Sequence, residues 1–201
     1  MKTELDEQLC KKYPKMMVNR FKPMQETCMC WGFECGDGWF TLLDNLMGNI
    51  QNHIDWKRKQ RAMTLKYNRA LKRAINGDKA GLIRHYTYGD APTDYTYTHV
   101  EGDIEKAAFR KVPDAVRQVT LDQVKEKFGT LRFYYTGGDD YISGMVTLAE
   151  SMSGVICESC GASANTTWSG GWARTICEPC DTKREQERDQ FYKDAIKGDI
   201  I

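Results

Sequence analysis

The longest stretch with a regular spacing of hydrophobic residues covers about residues 39–76. At about 100° of rotation per residue, its first half places the apolar side chains on one side of a helix: Leu42, Leu43, Leu46, Met47, Ile50 and Ile54. The second half places them on a side rotated by about 120°: Trp56, Met63, Tyr67, Ala70, Leu71 and Ala74. This change of side predicts a bend or two successive helices. A shorter helix is predicted over residues 3–12, ahead of Pro14.

The middle of the chain combines β-like and helical patterns. Residues 86–100 carry tyrosines at every second position on each side of a turn, which predicts a short hairpin or an ordered loop. Residues 116–119 and 130–136 are rich in β-forming side chains, with a turn of helix predicted at 123–128 between them. A further helix is capped by Asp139 or Asp140 and ends at Gly154; its apolar face consists of Ile142, Met145, Val146, Leu148, Ala149 and Met152.

Two C-x2-C pairs, separated by sixteen residues, give the clearest chemical signal: Cys157, Cys160, Cys177 and Cys180. This spacing is typical of a tetrathiolate zinc site, because a two-residue spacer lets two thiolates on a tight turn reach one tetrahedral ion. Four protein ligands leave no position for an activated water, so the expected zinc ion is structural. The alternatives are four buried thiols or a redox pair, and the absence of a β-α-β pattern disfavours the redox pair.

The segment between the two pairs predicts a β-hairpin around residues 169–171, and the second pair opens a helix that continues to Lys197. Together with the first pair, these features predict a treble-clef-like zinc finger with four cysteine ligands. The predicted fold class is therefore α+β, with an N-terminal helical portion, a small central β-sheet and this C-terminal finger. The predicted domains are residues 1–154 and residues 155–201.

A second cysteine-rich segment lies at residues 28–39, where glycine and aromatic residues crowd together without a regular period. Cys28, Cys30 and Cys35, together with His53 or Cys10, are candidates for a second metal site. The other interpretation is a loop of structural thiols, with His53 as a packed imidazole. Asp37 is predicted to cap the helix that begins near Trp39.

Charge changes the interpretation only locally. The 201 residues include 29 Lys and Arg against 28 Asp and Glu, a formal charge of +1, which excludes a histone-like polycation or an acidic DNA mimic. The opening residues lack the apolar run of a signal peptide, and no stretch reaches the about 18 apolar residues that span a bilayer. The expected location is the cytoplasm, where eight cysteines favour metal ligation or burial over disulfides.

The second half of the long helical region has no Asp or Glu between Trp56 and Gly77. It is therefore strongly basic, and its candidate contacts with nucleic acid or an acidic partner are Lys57, Arg58, Arg61, Arg69, Lys72 and Arg73. The alternative is that these cations pair within the molecule with acidic residues downstream: Asp90, Asp94, Glu101, Asp103 and Glu105.

Two local resemblances follow from these motifs. The run QVKEKFGTLRFYY at 123–135, followed by a helix and CESCG, resembles a group of phage and prophage proteins that share a KEKFGxLRFY segment ahead of a Cys-pair finger. This resemblance covers about residues 116–180 and implies a viral or prophage origin, hence the cytoplasm of a host cell. ICESCG at 156–161 with RTICEPC at 174–180 is similar to the zinc finger of the DksA/TraR proteins, which bind RNA polymerase.

Three hypotheses for function remain. The first is a zinc-stabilised phage accessory protein that binds and modulates a host or defence protein without catalysis, using Trp168 and Trp172 as interface aromatics. The alternative is a DNA- or RNA-binding protein that uses the basic helix and acts on transcription. An enzyme built on Glu34, Asp37 and His53 is the third, and the lack of any P-loop, HExxH, dinucleotide fingerprint or nucleophile elbow disfavours it. No membrane partner is expected.

Overall fold

The computed structural model describes residues 1–169 and 171–196. These residues form six α-helices and five β-strands: α1 (Thr3–Lys12), β1 (Phe33–Glu34), α2 (Phe40–Ile75), α3 (Ala80–Tyr86), α4 (Asp94–Lys106), β2 (Arg117–Lys127), β3 (Thr130–Gly138), α5 (Asp140–Ser153), β4 (Asn165–Ser169), β5 (Trp172–Ile176) and α6 (Glu178–Ile196). The predicted mixture of helices with small sheets is confirmed, as is the first short helix. None of the described helices combines the length and the apolar character needed to cross a bilayer.

The chain divides into two compact units. We call Met1–His53 with Arg117–Ile201 the sheet unit, and Ile54–Val116 the helical unit. The finger segment belongs to the sheet unit. The predicted division into domains at residues 1–154 and 155–201 stays a prediction.

Helix α2 is continuous over 36 residues, so the predicted division into two successive helices is wrong, and the alternative of a bend stays a prediction. The apolar side changes because the helix contributes to two cores. Leu43 and Met47 are fully buried in the sheet unit, whereas Tyr67 and Leu71 belong to the core of the helical unit. One helix can contribute to both cores because its apolar positions shift around its circumference.

The central sheet has the order β1-β2-β3, with β1 parallel and β3 antiparallel to β2. The predicted turn of helix at 123–128 is wrong, because β2 continues through it to Lys127. Phe128 and Gly129 both have positive φ, 55° and 77°, which matches the two-residue turn that connects twisted strands. Pairing then resumes directly between Lys127 and Thr130.

Helix α5 covers one face of this sheet, and its predicted cap is confirmed: Asp139 accepts a hydrogen bond from the Ile142 backbone N–H at 3.1 Å. Its predicted apolar face is only partly buried, since Ile142, Val146 and Ala149 lie in the core while Leu148 and Met152 are exposed. Two α5 side chains also serve β3. Ser153 Oγ and Glu150 Oε1 accept hydrogen bonds from the Leu131 and Phe133 backbone N–H groups, both at 2.8 Å.

The predicted hairpin or loop over residues 86–100 is wrong for its second half, where Tyr95 and Tyr97 lie on helix α4. Thr93 and Thr96 form a capping box that begins this helix. Thr96 and Val100, four residues apart, supply its buried face, and the tyrosines occupy exposed positions beside it. Tyr95 and Tyr97 are about 200° apart around the helix, so the period-two pattern came from two exposed positions on either side of the buried Thr96.

The predicted finger hairpin is confirmed as β4 and β5, in which Asn165 pairs with Ile176 and Trp168 with Ala173. Gly170, in the predicted turn, and Lys197, at the predicted end of the last helix, lie outside the described residues. Helix α6 begins at Glu178, as the second cysteine pair predicts. None of its described side chains is buried.

Candidate metal centre

The four cysteines of the two C-x2-C pairs converge, with all their Sγ atoms within 4.8 Å of one another: Cys157, Cys160, Cys177 and Cys180. The Cys160 and Cys177 sulfurs lie 3.6 Å apart. Thiolates about 2.3 Å from one tetrahedral ion are about 3.8 Å from each other, so the donor set fits a single ion. In the described part of the chain, no other group of three or more His, Cys, Asp or Glu side chains converges in this way.

The first pair lies on a tight turn closed by two backbone hydrogen bonds. Gly161 N donates to Cys157 O at 2.8 Å, and Cys157 N donates to Ala162 O at 2.7 Å. Gly161 adopts φ +80°, a conformation that favours glycine at this position of the turn. Within the turn Cys157 is fully buried, whereas Cys160 is exposed.

The second pair lies at the start of helix α6. Cys177 precedes the helix, and its carbonyl accepts the Asp181 N–H at 2.9 Å, while Cys180 belongs to the first turn. Unpaired N–H groups at a helix start favour negative charge, so this position stabilises thiolates. Strand β5, which leads into this second pair, is bonded to the turn of the first pair, because Thr175 O accepts the Glu158 N–H at 2.9 Å.

The thiols of this cluster differ in acidity. Burial raises the pKa of Cys157, but hydrogen bonds from the backbone N–H groups of Cys177, Cys160 and Ser159 outweigh it and lower that pKa to about 6. The pKa of Cys180 is raised to about 12, because its thiol hydrogen-bonds to the sulfurs of Cys160 and Cys177. Cys157 therefore ionises more readily than Cys180, and a bound cation would favour the thiolate form of both.

Sequence reasoning missed the segment that holds the first turn in place, Gly36–Trp39. Gly38 N donates to Glu158 O at 2.7 Å, and Gly36 N donates to Glu158 Oε1 at 2.8 Å. A Cβ on Gly38 would lie 2.2 Å from Cys157 O and 2.4 Å from Gly161 N, so only glycine fits. The fully buried Trp39 ring donates its Nε1–H to Ile156 O at 2.9 Å. The pattern Gly-Asp-Gly-Trp is the only signal that the sequence offers.

The structure does not bring the candidates for a second metal site together. Cys30 Sγ donates to Thr27 O at 3.2 Å, Cys28 is exposed and Cys35 is buried. His53 Nε2 lies 2.8 Å from Asp139 Oδ2 and its ring stacks on Tyr141. Cys10 instead donates to Asp6 Oδ1 at 3.1 Å, and burial, followed by this hydrogen bond, raises its pKa to about 12.

The three residues of the enzyme hypothesis, Glu34, Asp37 and His53, do not form a common site. Asp37 does not cap α2, because its Oδ1 accepts the Lys2 backbone N–H at 2.7 Å and the helix begins after a 3-10 turn. Glu34 Oε2 accepts the Gln123 side-chain amide at 2.9 Å. With His53 held against Asp139, each of the three side chains has a separate structural partner.

The basic residues of α2 border a groove within the helical unit, formed with α3 and about 860 Å³ in volume. The basic side chains that line it are Lys66, Arg69, Lys72, Arg73, Arg84 and His85. Three of the predicted contacts lie elsewhere: Arg58 is 4.0 Å from Asp55, Arg61 donates to Pro113 O, and Lys57 lies over the Trp56 ring.

The predicted internal neutralisation of the groove cations is not found. Within the described residues, no carboxylate lies within 4 Å of Lys66, Arg69, Lys72, Arg73 or Arg84. Glu101 pairs instead with Lys79 at 2.6 Å, and Asp103 Oδ2 accepts the hydroxyl groups of Tyr67 and Tyr86. The groove therefore presents a concentrated positive charge.

The two predicted interface tryptophans are exposed. Trp168 and Trp172 show 69% and 70% of their surface, on adjacent strands of the finger hairpin. Trp168 pairs with Ala173 and Trp172 with Ser169, so the side chains of Trp168 and Trp172 project from opposite faces of the hairpin.

Comparisons with protein-family models, with curated proteins and with solved structures find no significant match to this chain.

Proposed function

We propose that this chain is a nucleic-acid-binding protein in which a structural zinc ion holds the finger together. The observation that carries the proposal is the groove of the helical unit, where five Lys and Arg side chains have no carboxylate within 4 Å among the described residues. A charged groove of this kind attracts a polyanion, because each phosphate contact releases condensed counterions.

Two features support the zinc part of the proposal: the four sulfur donors and the backbone elements that hold them. Cys157, Cys160, Cys177 and Cys180 supply four sulfur ligands and leave no position for substrate or water, so the ion would act as a scaffold. The turn, hairpin and helix around them make a treble-clef-like finger. Zinc would contribute on the order of 10 kcal/mol to the folding of this segment.

Metal analysis of protein purified under reducing conditions tests this part. We expect one zinc ion per chain, lost in Cys157→Ser and Cys177→Ser and retained in the control Cys28→Ser, whose thiol is exposed and outside the cluster. Folded protein without stoichiometric zinc would contradict the proposal.

Fluorescence anisotropy with labelled DNA and RNA tests the nucleic-acid part. A variant that changes Lys66, Arg69, Lys72 and Arg73 to Gln should bind more weakly and reduce the slope of log affinity against log salt by about three to four. The matched control changes four cations of α6 to Gln: Lys183, Arg184, Arg188 and Lys193. We expect this control to retain the slope. No detectable binding at about 50 mM salt, where phosphate contacts are least screened, would contradict the proposed function.

A second candidate function is favoured by the exposed Trp168 and Trp172. Large exposed aromatic residues are common anchors of protein interfaces, which supports the hypothesis of a phage-type accessory protein that binds a host or defence protein. RNA polymerase is included among the partners to test, given the DksA/TraR-like finger. Capture from host lysate after nuclease treatment, lost in the double variant Trp168→Ala/Trp172→Ala and kept in Tyr97→Ala, would support it. Capture that disappears on nuclease treatment would contradict it.

A further inference from the structure

We infer that the groove of the helical unit binds single-stranded nucleic acid, with a base stacked on the ring of His85. This inference rests on the proposed function and narrows its ligand to one class. It follows from three properties of the groove: an apolar floor, cations at its border and an exposed ring held by other rings.

The floor of the groove is apolar. It is lined by Ala62, Met63 and Ala70, and Met63 is 52% exposed. Helices α2 and α3 touch directly beneath it, since a Cβ on Gly81 would lie 3.3 Å from the Ala70 Cβ. A duplex stacks its base faces internally and offers mainly phosphates to such a surface, whereas a single strand has free base faces that can contact apolar groups.

The cations border this floor over a short distance. Lys66, Arg69 and Arg73 follow one another at helical spacing along one side of α2, and about 10 Å separates the first from the last. Arg84 adds a charge from α3. An apolar floor with charged borders is the arrangement expected where bases lie inward and phosphates outward.

His85 supplies the ring. It is exposed to the groove, and its ring centroid lies 5.0 Å from that of Tyr67 and 4.9 Å from that of Tyr86. These contacts are tilted and edge-on, so they fix the imidazole without covering all of it. Burial and then the charge of Arg110 lower the pKa of His85, which favours the neutral ring at pH 7. A neutral exposed ring beside cations is suited to stacking on a base.

The test compares binding of two fluorescein-labelled probes by anisotropy: oligothymidine of about 12 nucleotides and a mixed-sequence duplex of the same length. We expect the single strand to bind more tightly. His85→Ala should weaken its binding by about 5- to 150-fold, the range for loss of one stacked base. His85→Phe, which keeps a ring and removes any charge, should bind it as the unchanged protein does. Neither change should alter the salt dependence.

Three other outcomes would contradict the inference. Duplex binding as tight as single-strand binding would overturn the inference and leave the proposed function intact. If His85→Phe is as weak as His85→Ala, the ring does not act by stacking and the inference fails. Absence of binding to either probe at low salt removes the proposed function, and this inference with it. Circular dichroism of both variants should match the unchanged protein, since His85 is exposed.

Discussion

Asp103 has a role that its sequence position does not suggest. The charge pattern offers it, as one alternative, as a counter-ion for the basic helix, whereas its carboxylate accepts hydrogen bonds from Tyr67 and Tyr86, which are 36 and 17 residues away. Arg110 stacks on the Tyr67 ring at 3.6 Å. These partners come from separate helices and a loop, so no local pattern can predict them. The four cysteines could be predicted because their spacing within each pair already carries the geometry.

Replacing Tyr67 with Phe should destabilise the helical unit by about 1.5–3 kcal/mol, because the half-buried Asp103 carboxylate loses a hydrogen-bond donor. The free energy of opening can be measured by hydrogen–deuterium exchange of peptides from residues 54–116. Tyr97→Phe is the control: its ring is 49% exposed, and the change should cost less than about 0.5 kcal/mol. Equal effects of the two changes would contradict this role of Asp103.

The same tyrosine predicts a dependence on pH. Burial, followed by the hydrogen bond to Asp103, raises the pKa of Tyr67, so folding stabilises its neutral form. This contribution is complete below the unfolded tyrosine pKa of about 10 and is lost as the pH rises through the raised value. The difference in opening free energy between the unchanged protein and Tyr67→Phe should therefore be constant from about pH 7 to 9 and shrink above about pH 10. A difference that grows with alkaline pH would contradict it.

Helices and strands could be predicted where the spacing of apolar residues reflects packing against a single core. Helix α1, the cap of α5 and the finger hairpin follow directly from their patterns. The errors arose where the spacing of side chains had more than one structural explanation. Helix α2 changes its apolar side because it serves two cores, and the tyrosines of α4 mimic strand alternation although Thr96 and Val100 define a helical face.

Gly38→Ala should weaken zinc binding by about 10- to 100-fold, the usual effect of disturbing the groups that hold metal ligands in place. The added Cβ would lie 2.2 Å from Cys157 O, so the turn carrying Cys157 and Cys160 must shift. Competition with a chromophoric chelator measures the affinity.

Gly144→Ala in α5 is the matched control for this change. Nothing lies within 4 Å of its added Cβ, and alanine in a helix should raise stability by about 0.5–1 kcal/mol without altering zinc affinity. If Gly38→Ala and Gly144→Ala bind zinc equally well, the Gly36–Trp39 segment does not support the metal centre.

The division into two units could not be predicted from composition. The sheet unit is assembled from two distant stretches, Met1–His53 and Arg117–Ile201, while the helical unit lies between them in the chain. Sequence patterns report on neighbours along the chain, whereas one of the contacts that join these two stretches links Gly36 to Glu158 across 122 residues. The fold class could be predicted because it depends only on which segments are helices and which are strands, and local sequence patterns indicate that.

Removal of the metal should affect the two units differently. A strong chelator should abolish hydrogen-exchange protection over residues 155–180, because the four cysteines proposed as zinc ligands lie there. Protection of residues 54–116 should persist, since the core of the helical unit consists of Tyr67, Leu71, Ala74, Leu82 and Val100 and contains no metal ligand. Loss of protection in both units on chelation would contradict this independence.

The bond between Gly36 and Glu158 also bears on how the protein is made. A ribosome adding about 5–20 residues per second needs about 6–24 seconds to place the second partner after the first, because 122 positions separate them. During that interval the buried indole of Trp39 has no Ile156 carbonyl to bind. The Gly36–Trp39 segment therefore lacks this partner until Ile156 has been synthesised, and chaperone dependence during synthesis is the expected consequence.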